Sequence, residues 1–143
     1  MLKQIAELVQ TQKHCVLATS SGDAPHASLM CYCPAPDSRE FWLVTLAATR
    51  KYANLRANPR ASLLIDDRQG GRPGLALTVE AALSPFAGAV EEAAARRALL
   101  ARHPELEGFL ALDGVLVLRL VGLRYQLLSG LTEVFTWPPA EKP

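Results

Sequence analysis

Two adjacent cations, Arg50 and Lys51, stand at the start of a helix, where helix electrostatics disfavour them. The apolar run Phe41–Thr45 reads as a buried strand, Leu46–Ala48 as a short loop, and the residues from Arg50 as the helix. A helix N-terminus carries a partial positive charge and favours Asp or Glu, so cations there cost about 0.3–1 kcal/mol each at an exposed site. Thr49 is the expected N-cap, but Tyr52 occupies the position where Glu or Gln would complete a capping box. A bound anion reverses the sign of the problem. Free backbone N–H groups, a threonine hydroxyl and two basic side chains are the parts of a phosphate site. A solvated, slightly frustrated helix start is the bland alternative, and these residues alone do not separate the two.

Other groups able to do chemistry are scattered. Cys31 and Cys33 fall on one face of a strand by period-two alternation. The usual zinc patterns need further Cys or His at defined spacing, so both thiols are read as packing and no metal site is expected. His14, His26 and His103 form no cluster; His103 is read as a favourable cation at a helix C-terminus and His26 as an edge residue. Arg96, Arg97 and Arg102 follow Glu91 and Glu92 at spacings that suggest i to i+4 ion pairs on a solvated face. Trp42 is assigned to the barrel interior, whereas Trp137 could reach a partner or a cofactor. Neither a Ser-His-Asp set nor a phosphate-binding glycine loop is readable.

The elements that must position Thr49–Lys51 follow from pattern. Leu2, Ile5, Leu8 and Val9 make residues 2–13 an amphipathic helix. Cys15–Thr19 and His26–Cys33 read as a hairpin around the Ser20–Asp23 turn, and Glu40–Thr45 as the third strand. The basic helix ends near Asn58, because Pro59 disfavours α conformation before it. Arg60–Asp66 and Leu75–Ser84 are strands flanking an Asp67–Gly74 loop, Gly88–Arg102 is an alanine-rich helix, and Glu105–Leu112 a short one. Val115–Leu120 and Tyr125–Leu128 are the final strands, before a polar tail from Pro138. Six or seven strands with connections too short for βαβ crossovers imply antiparallel pairing and an α+β, mainly β barrel.

With 143 residues, the chain suits one domain over residues 1–143. A net charge of +1 gives no reason to expect nucleic acid or an acidic membrane. No apolar run approaches the ~20 residues of a membrane span. Three cysteines and no readable export signal point to the cytoplasm.

The Thr-Arg-Lys, Asn-Leu and Asn-Pro-Arg-Ala-Ser-Leu-Leu-Ile elements between Phe41 and Ile65, after a Leu-Ala-Thr hairpin with Pro25 opening its second strand, resemble the pyridoxine/pyridoxamine 5'-phosphate oxidase-like family of FMN-binding split β-barrels. The resemblance covers residues 5–84 and the remainder in outline. It implies a homodimer with FMN between the subunits and Thr49, Arg50 and Lys51 on the cofactor phosphate. It also implies Val44 and Thr45 beside the phosphate-ribityl chain, and Ser28, Leu29 and Met30 beside the ring. Ser28 and Cys33 stand where the oxidase carries basic residues, and the C-terminus lacks its arginine and histidine, so vitamin oxidation is not expected. The implied function is a flavin oxidoreductase acting on a small molecule or NAD(P)H, with no side chain singled out as acid or base. Alternatives are a non-catalytic flavin carrier or sensor, a deazaflavin protein, or a haem-handling relative. Thr49 in place of histidine before Arg50 disfavours haem.

Overall fold

In the computed structural model, residues 1–67 and 74–139 are described. The loop expected over Asp67–Gly74 falls mostly outside them, as does the end of the tail expected from Pro138. Helix α1 (Leu2–Thr11) buries Ile5, Leu8 and Val9 of the stripe its spacing predicts, while Leu2, in the first turn, is exposed. Strands β1 (His14–Ser21) and β2 (Ala24–Cys31) pair antiparallel from His14↔Cys31 to Ser21↔Ala24. Gly22 opens the two-residue turn between them at φ +57°, a conformation that glycine adopts without a Cβ penalty.

The chain continues through β3 (Cys33–Pro34), β4 (Glu40–Leu46), α2 (Arg50–Ala57), β5 (Arg60–Asp66) and β6 (Leu75–Leu83). Helix α3 (Ala89–Arg102), a 3₁₀ turn (Pro104–Leu106) and α4 (Glu107–Leu110) lead into β7 (Val115–Ser129) and β8 (Glu133–Trp137). The strands form an antiparallel sheet in the order β2-β1-β5-β6-β7-β4-β3, with β8 also on β7. This sheet curls into the expected α+β split barrel.

Tyr32, fully buried between β2 and β3, fastens the seam: its N–H donates to the Lys13 carbonyl and its hydroxyl to the Val9 carbonyl at 2.7 Å. The interior is filled by Leu17, Phe41, Leu43, Leu63, Leu77 and Leu120 with their neighbours. A second cluster on the outer face packs Ala95 and Leu99 of α3 against Cys33, Val44 and Val117.

The structure departs from the sequence reading at four places. The two final strands expected from residue 115 onward are one strand, β7, whose pairing with β6 slips between Glu80 and Ala81, so that Leu123 is skipped. This bulge shifts the inward phase by one residue, which makes a continuous strand look broken. Strand β8 brings the count to eight, against six or seven. Trp42 lies with the outer cluster and not inside the barrel, because Phe41 and Leu43 take the inward positions. Finally, the second strand stops at Cys31. Cys33 belongs to β3, so the two thiols do not share a strand.

Candidate cofactor site

Strand β4 delivers the chain to the start of α2, and three polar contacts fix the turn between them. Thr49 occupies the N-cap position with extended backbone, yet its side chain does not cap the helix. Its hydroxyl donates to the Leu46 carbonyl at 2.9 Å and lies 2.8 Å from the hydroxyl of buried Thr45. The Ala47 N–H donates to the Gly114 carbonyl, tying the loop to the entry of β7. The first turn of α2 therefore keeps its backbone N–H groups without a side-chain acceptor, and no acidic residue stands in it. Arg50 is exposed and Lys51 half-buried, and neither is in an ion pair among the described residues. Such a site offers backbone donors, two cations and the helix dipole to one oxyanion.

The residues after the cations hold this start in place. Asn54 is buried, and its amide donates to the buried Thr19 hydroxyl on β1 at 3.1 Å. Leu55 is 1% exposed and fills the interior. At the C-cap, the Asn58 amide donates to the Ser20 hydroxyl while its carbonyl oxygen accepts the Arg60 N–H. Asn-Leu and Asn-Pro-Arg are thus positioning elements, docking α2 on the first hairpin strand.

Of the residues expected beside a ribityl chain, Thr45 meets Thr49 directly, whereas the Val44 side chain packs under α3 and only its backbone is available. Ser28, Leu29 and Met30 lie on β2, whose outer side has no strand partner in the sheet order. Met30 points into the core, Ser28 is half-buried and Leu29 is 75% exposed. Their main-chain groups at this edge can meet a ring's polar rim; among the side chains, those of Ser28 and Leu29 are accessible.

Several residues resolve differently from their sequence reading. Trp137 packs edge-on against Tyr125 with its ring under the Arg39 guanidinium, and so belongs to the β7–β8 packing. Arg102 donates to the Gln10 and Gln12 carbonyls at the end of α1 and lies over the Tyr32 ring. It is a clamp on a helix C-terminus. Arg96 donates to the Leu110 carbonyl, and no ion pair joins Arg96 or Arg97 to Glu91 or Glu92 among the described residues. Burial pushes the Cys15 thiol up to about 12, and burial and then Glu105 raise that of Cys31, so neither is an activated nucleophile.

Sequence reasoning also missed the Glu40–Arg119 pair, at 2.6 Å across β4 and β7, with the Trp42 indole N–H on the same carboxylate. The Arg119 hydrogen bond holds the Glu40 carboxyl below its usual range, against a smaller opposing effect of burial. Arg119 borders two adjoining clefts of about 470 and 310 Å³ that also share Pro85 and Phe86; Glu40 lines the first, and the second reaches Tyr52 in the first turn of α2. Only strand register could have signalled it: Arg119 pairs with Trp42, two residues from Glu40 on the same face of β4, so Glu40 and Arg119 are diagonal neighbours.

Comparison with known proteins agrees with this architecture. A pyridoxamine 5'-phosphate oxidase homolog of Schizosaccharomyces pombe is 38% identical over 72 residues, covering 45% of this chain and 38% of that protein. The structure of a heme binding protein from Mycobacterium smegmatis superposes with a TM-score of 0.83 at 19% identity, over 94% of this chain and 56% of that one. A FAD-binding protein from Mesorhizobium loti gives a TM-score of 0.73 at 13% identity, over 87% and 91% of the two chains. The chain thus spans little more than half of the Mycobacterium protein and matches well under half of the yeast one. The sequence profile described as Pyridoxamine 5'-phosphate oxidase matches residues 1–117, most of the chain, and this chain belongs to the pyridoxamine 5'-phosphate oxidase family.

Proposed function

We propose that this chain binds FMN and serves as a flavin-dependent oxidoreductase in the cytoplasm, acting on a small molecule or NAD(P)H. The observation that carries the reading is the start of α2: uncapped N–H groups, no acid in the first turn, and Arg50 and Lys51 without ion-pair partners among the described residues. These features fit a phosphate dianion. In this proposal Thr49, Arg50 and Lys51 hold the phosphate, Thr45 and the Val44 backbone flank the ribityl chain, and Ser28, Leu29 and the Met30 backbone border the ring. When bound, the flavin supplies hydride or single-electron transfer, and the protein supplies placement and polarity. Three free cysteines suit a reducing compartment.

The same reading makes the protein a homodimer with the cofactor between subunits. Its support is an apolar row across the outer face, Leu29–Val16–Leu64, matched by register on β2, β1 and β5. Leu29 and Leu64 are 75% and 37% exposed in the single chain, and a second copy would cover them.

Haem is the second reading, favoured by the likeness to the Mycobacterium heme binding protein. Its difficulty is ligation: His103 is 2% exposed with Nε2 on the Tyr32 carbonyl, too enclosed to meet a haem, which leaves His14 and His26. The absorbance spectrum of the purified protein separates the readings. Flavin bands support the proposal; a Soret band with no flavin overturns it in favour of haem.

A further inference from the structure

Four groups that are far apart in sequence meet where the end of α3 crosses the open end of the first hairpin. Donor atoms of Cys31, His103 and Glu105 all lie within 4.8 Å of one another. His14 is the cross-strand partner of Cys31, and its ring centroid is 6.2 Å from that of His103.

The imidazole of His103 is 2% exposed and held from both sides. Its Nε2 is 2.8 Å from the Tyr32 carbonyl oxygen. A carbonyl can only accept, so Nε2 carries a proton and Nδ1 is the nitrogen left for another partner. That Nδ1 faces the Glu105 carboxylate at 3.3 Å. In the neutral ring, two lone-pair acceptors then oppose each other, and either a proton or a metal ion between them removes the conflict. A coordinating histidine is commonly fixed in this way, with its other N–H on a backbone carbonyl that sets tautomer and ring orientation.

We propose that Cys31 Sγ, His103 Nδ1 and a Glu105 carboxylate oxygen bind a divalent transition metal of the Zn²⁺ class, with His14 bordering the fourth coordination position. A mixed sulfur, nitrogen and oxygen set is the donor chemistry of zinc and of its cobalt substitute, and it is unsuited to magnesium or calcium. With metal–ligand bonds of about 2.0–2.3 Å, tetrahedral donors stand roughly 3.5 Å apart, so the present spread must contract by about 1 Å. The His103–Glu105 pair is already at 3.3 Å, so the contraction falls on the Sγ of half-buried Cys31, with exposed Glu105 following it. Metal binding would pin the end of α3 and the 3₁₀ turn to the β1–β2 hairpin. The site is separate from the start of α2, so it stands or falls independently of the FMN proposal.

The test is titration of the chelator-stripped 143-residue chain with Co²⁺, followed by Zn²⁺ competition against a chromophoric chelator. The expected result is one ion per chain, with visible bands of tetrahedral cobalt and a thiolate charge-transfer band in the near ultraviolet. Cys31→Ala should abolish the charge-transfer band. Glu105→Gln, a change at an exposed side chain, should weaken Zn²⁺ binding at least about 100-fold, matching or exceeding the loss of an outer-shell partner. Glu107→Gln, an exposed neighbour outside the cluster, should leave binding unchanged. Circular dichroism of each variant shows that the fold is retained. No stoichiometric binding, an octahedral cobalt spectrum, or equal affinity in wild type and Glu105→Gln would overturn the proposal.

Discussion

Replacing Asn54 with alanine tests whether the Asn-Leu element positions the helix start. Asn54 is 5% exposed, and the Thr19 hydroxyl that it meets at 3.1 Å is on a residue 3% exposed. Removing the amide leaves that hydroxyl buried beside a void, and an orphaned buried polar group costs about 1–3 kcal/mol. For a domain of this size, 1 kcal/mol moves the melting temperature by roughly 4 °C, so Asn54→Ala should lower it by roughly 4–12 °C. Thr19→Val alone should cost a similar amount by stranding the amide. The double variant should lose clearly less than the sum of the two, because removing both polar partners avoids the unpaired group. Calorimetry or chemical denaturation of the four proteins gives the coupling energy. If the two losses simply add, the contact does not hold α2 to β1 and the positioning argument fails.

Other perturbations bear on separate parts of the account. Gly122→Ala would set a Cβ 2.7 Å from Tyr125 Cζ and 3.1 Å from Cε2. The Tyr125 hydroxyl is tied to the Ser38 carbonyl and its ring to Trp137, so the ring cannot give way, and denaturation should show a loss of about 1–3 kcal/mol. Glu40→Gln removes the carboxylate that Arg119 holds below its usual range. Because the folded-state value is depressed, the wild-type advantage should be full above roughly pH 4.3 and vanish as pH falls through the lower folded-state value. Denaturation of both proteins from pH 7 to pH 3 measures it; a constant difference would refute the pair's contribution. Replacing both Arg50 and Lys51 with alanine should leave the cofactor-free melting temperature unchanged or slightly higher, since each cation opposes the dipole by about 0.3–1 kcal/mol.

Much of this fold was legible because local patterns and tertiary demands agree. The stripe of Ile5, Leu8 and Val9 becomes the buried face of α1, and Arg60–Asp66 is a strand with the predicted bounds. What escaped the sequence depends on long-range register. The bulge at Leu123 breaks alternation inside one strand, and β8 exists because the end of β7 offers it an edge. Trp42 was misplaced because apolarity alone does not say which sheet face is the interior once both faces are covered. The basic, uncapped start of α2 was readable, since its cations contradict a local rule. The grouping of Cys31, His103 and Glu105 was not: their separation in sequence matches no ligand spacing, and the crossing of α3 over the hairpin creates it.

Titration with FMN measures directly whether the start of α2 anchors a cofactor phosphate. Wild-type protein should bind one FMN per chain and quench its fluorescence. Arg50→Ala/Lys51→Ala loses two charge-assisted contacts of about 1.5–3 kcal/mol each, which weakens affinity by at least about 100-fold. Equal affinity in the double variant and the wild type would contradict the account.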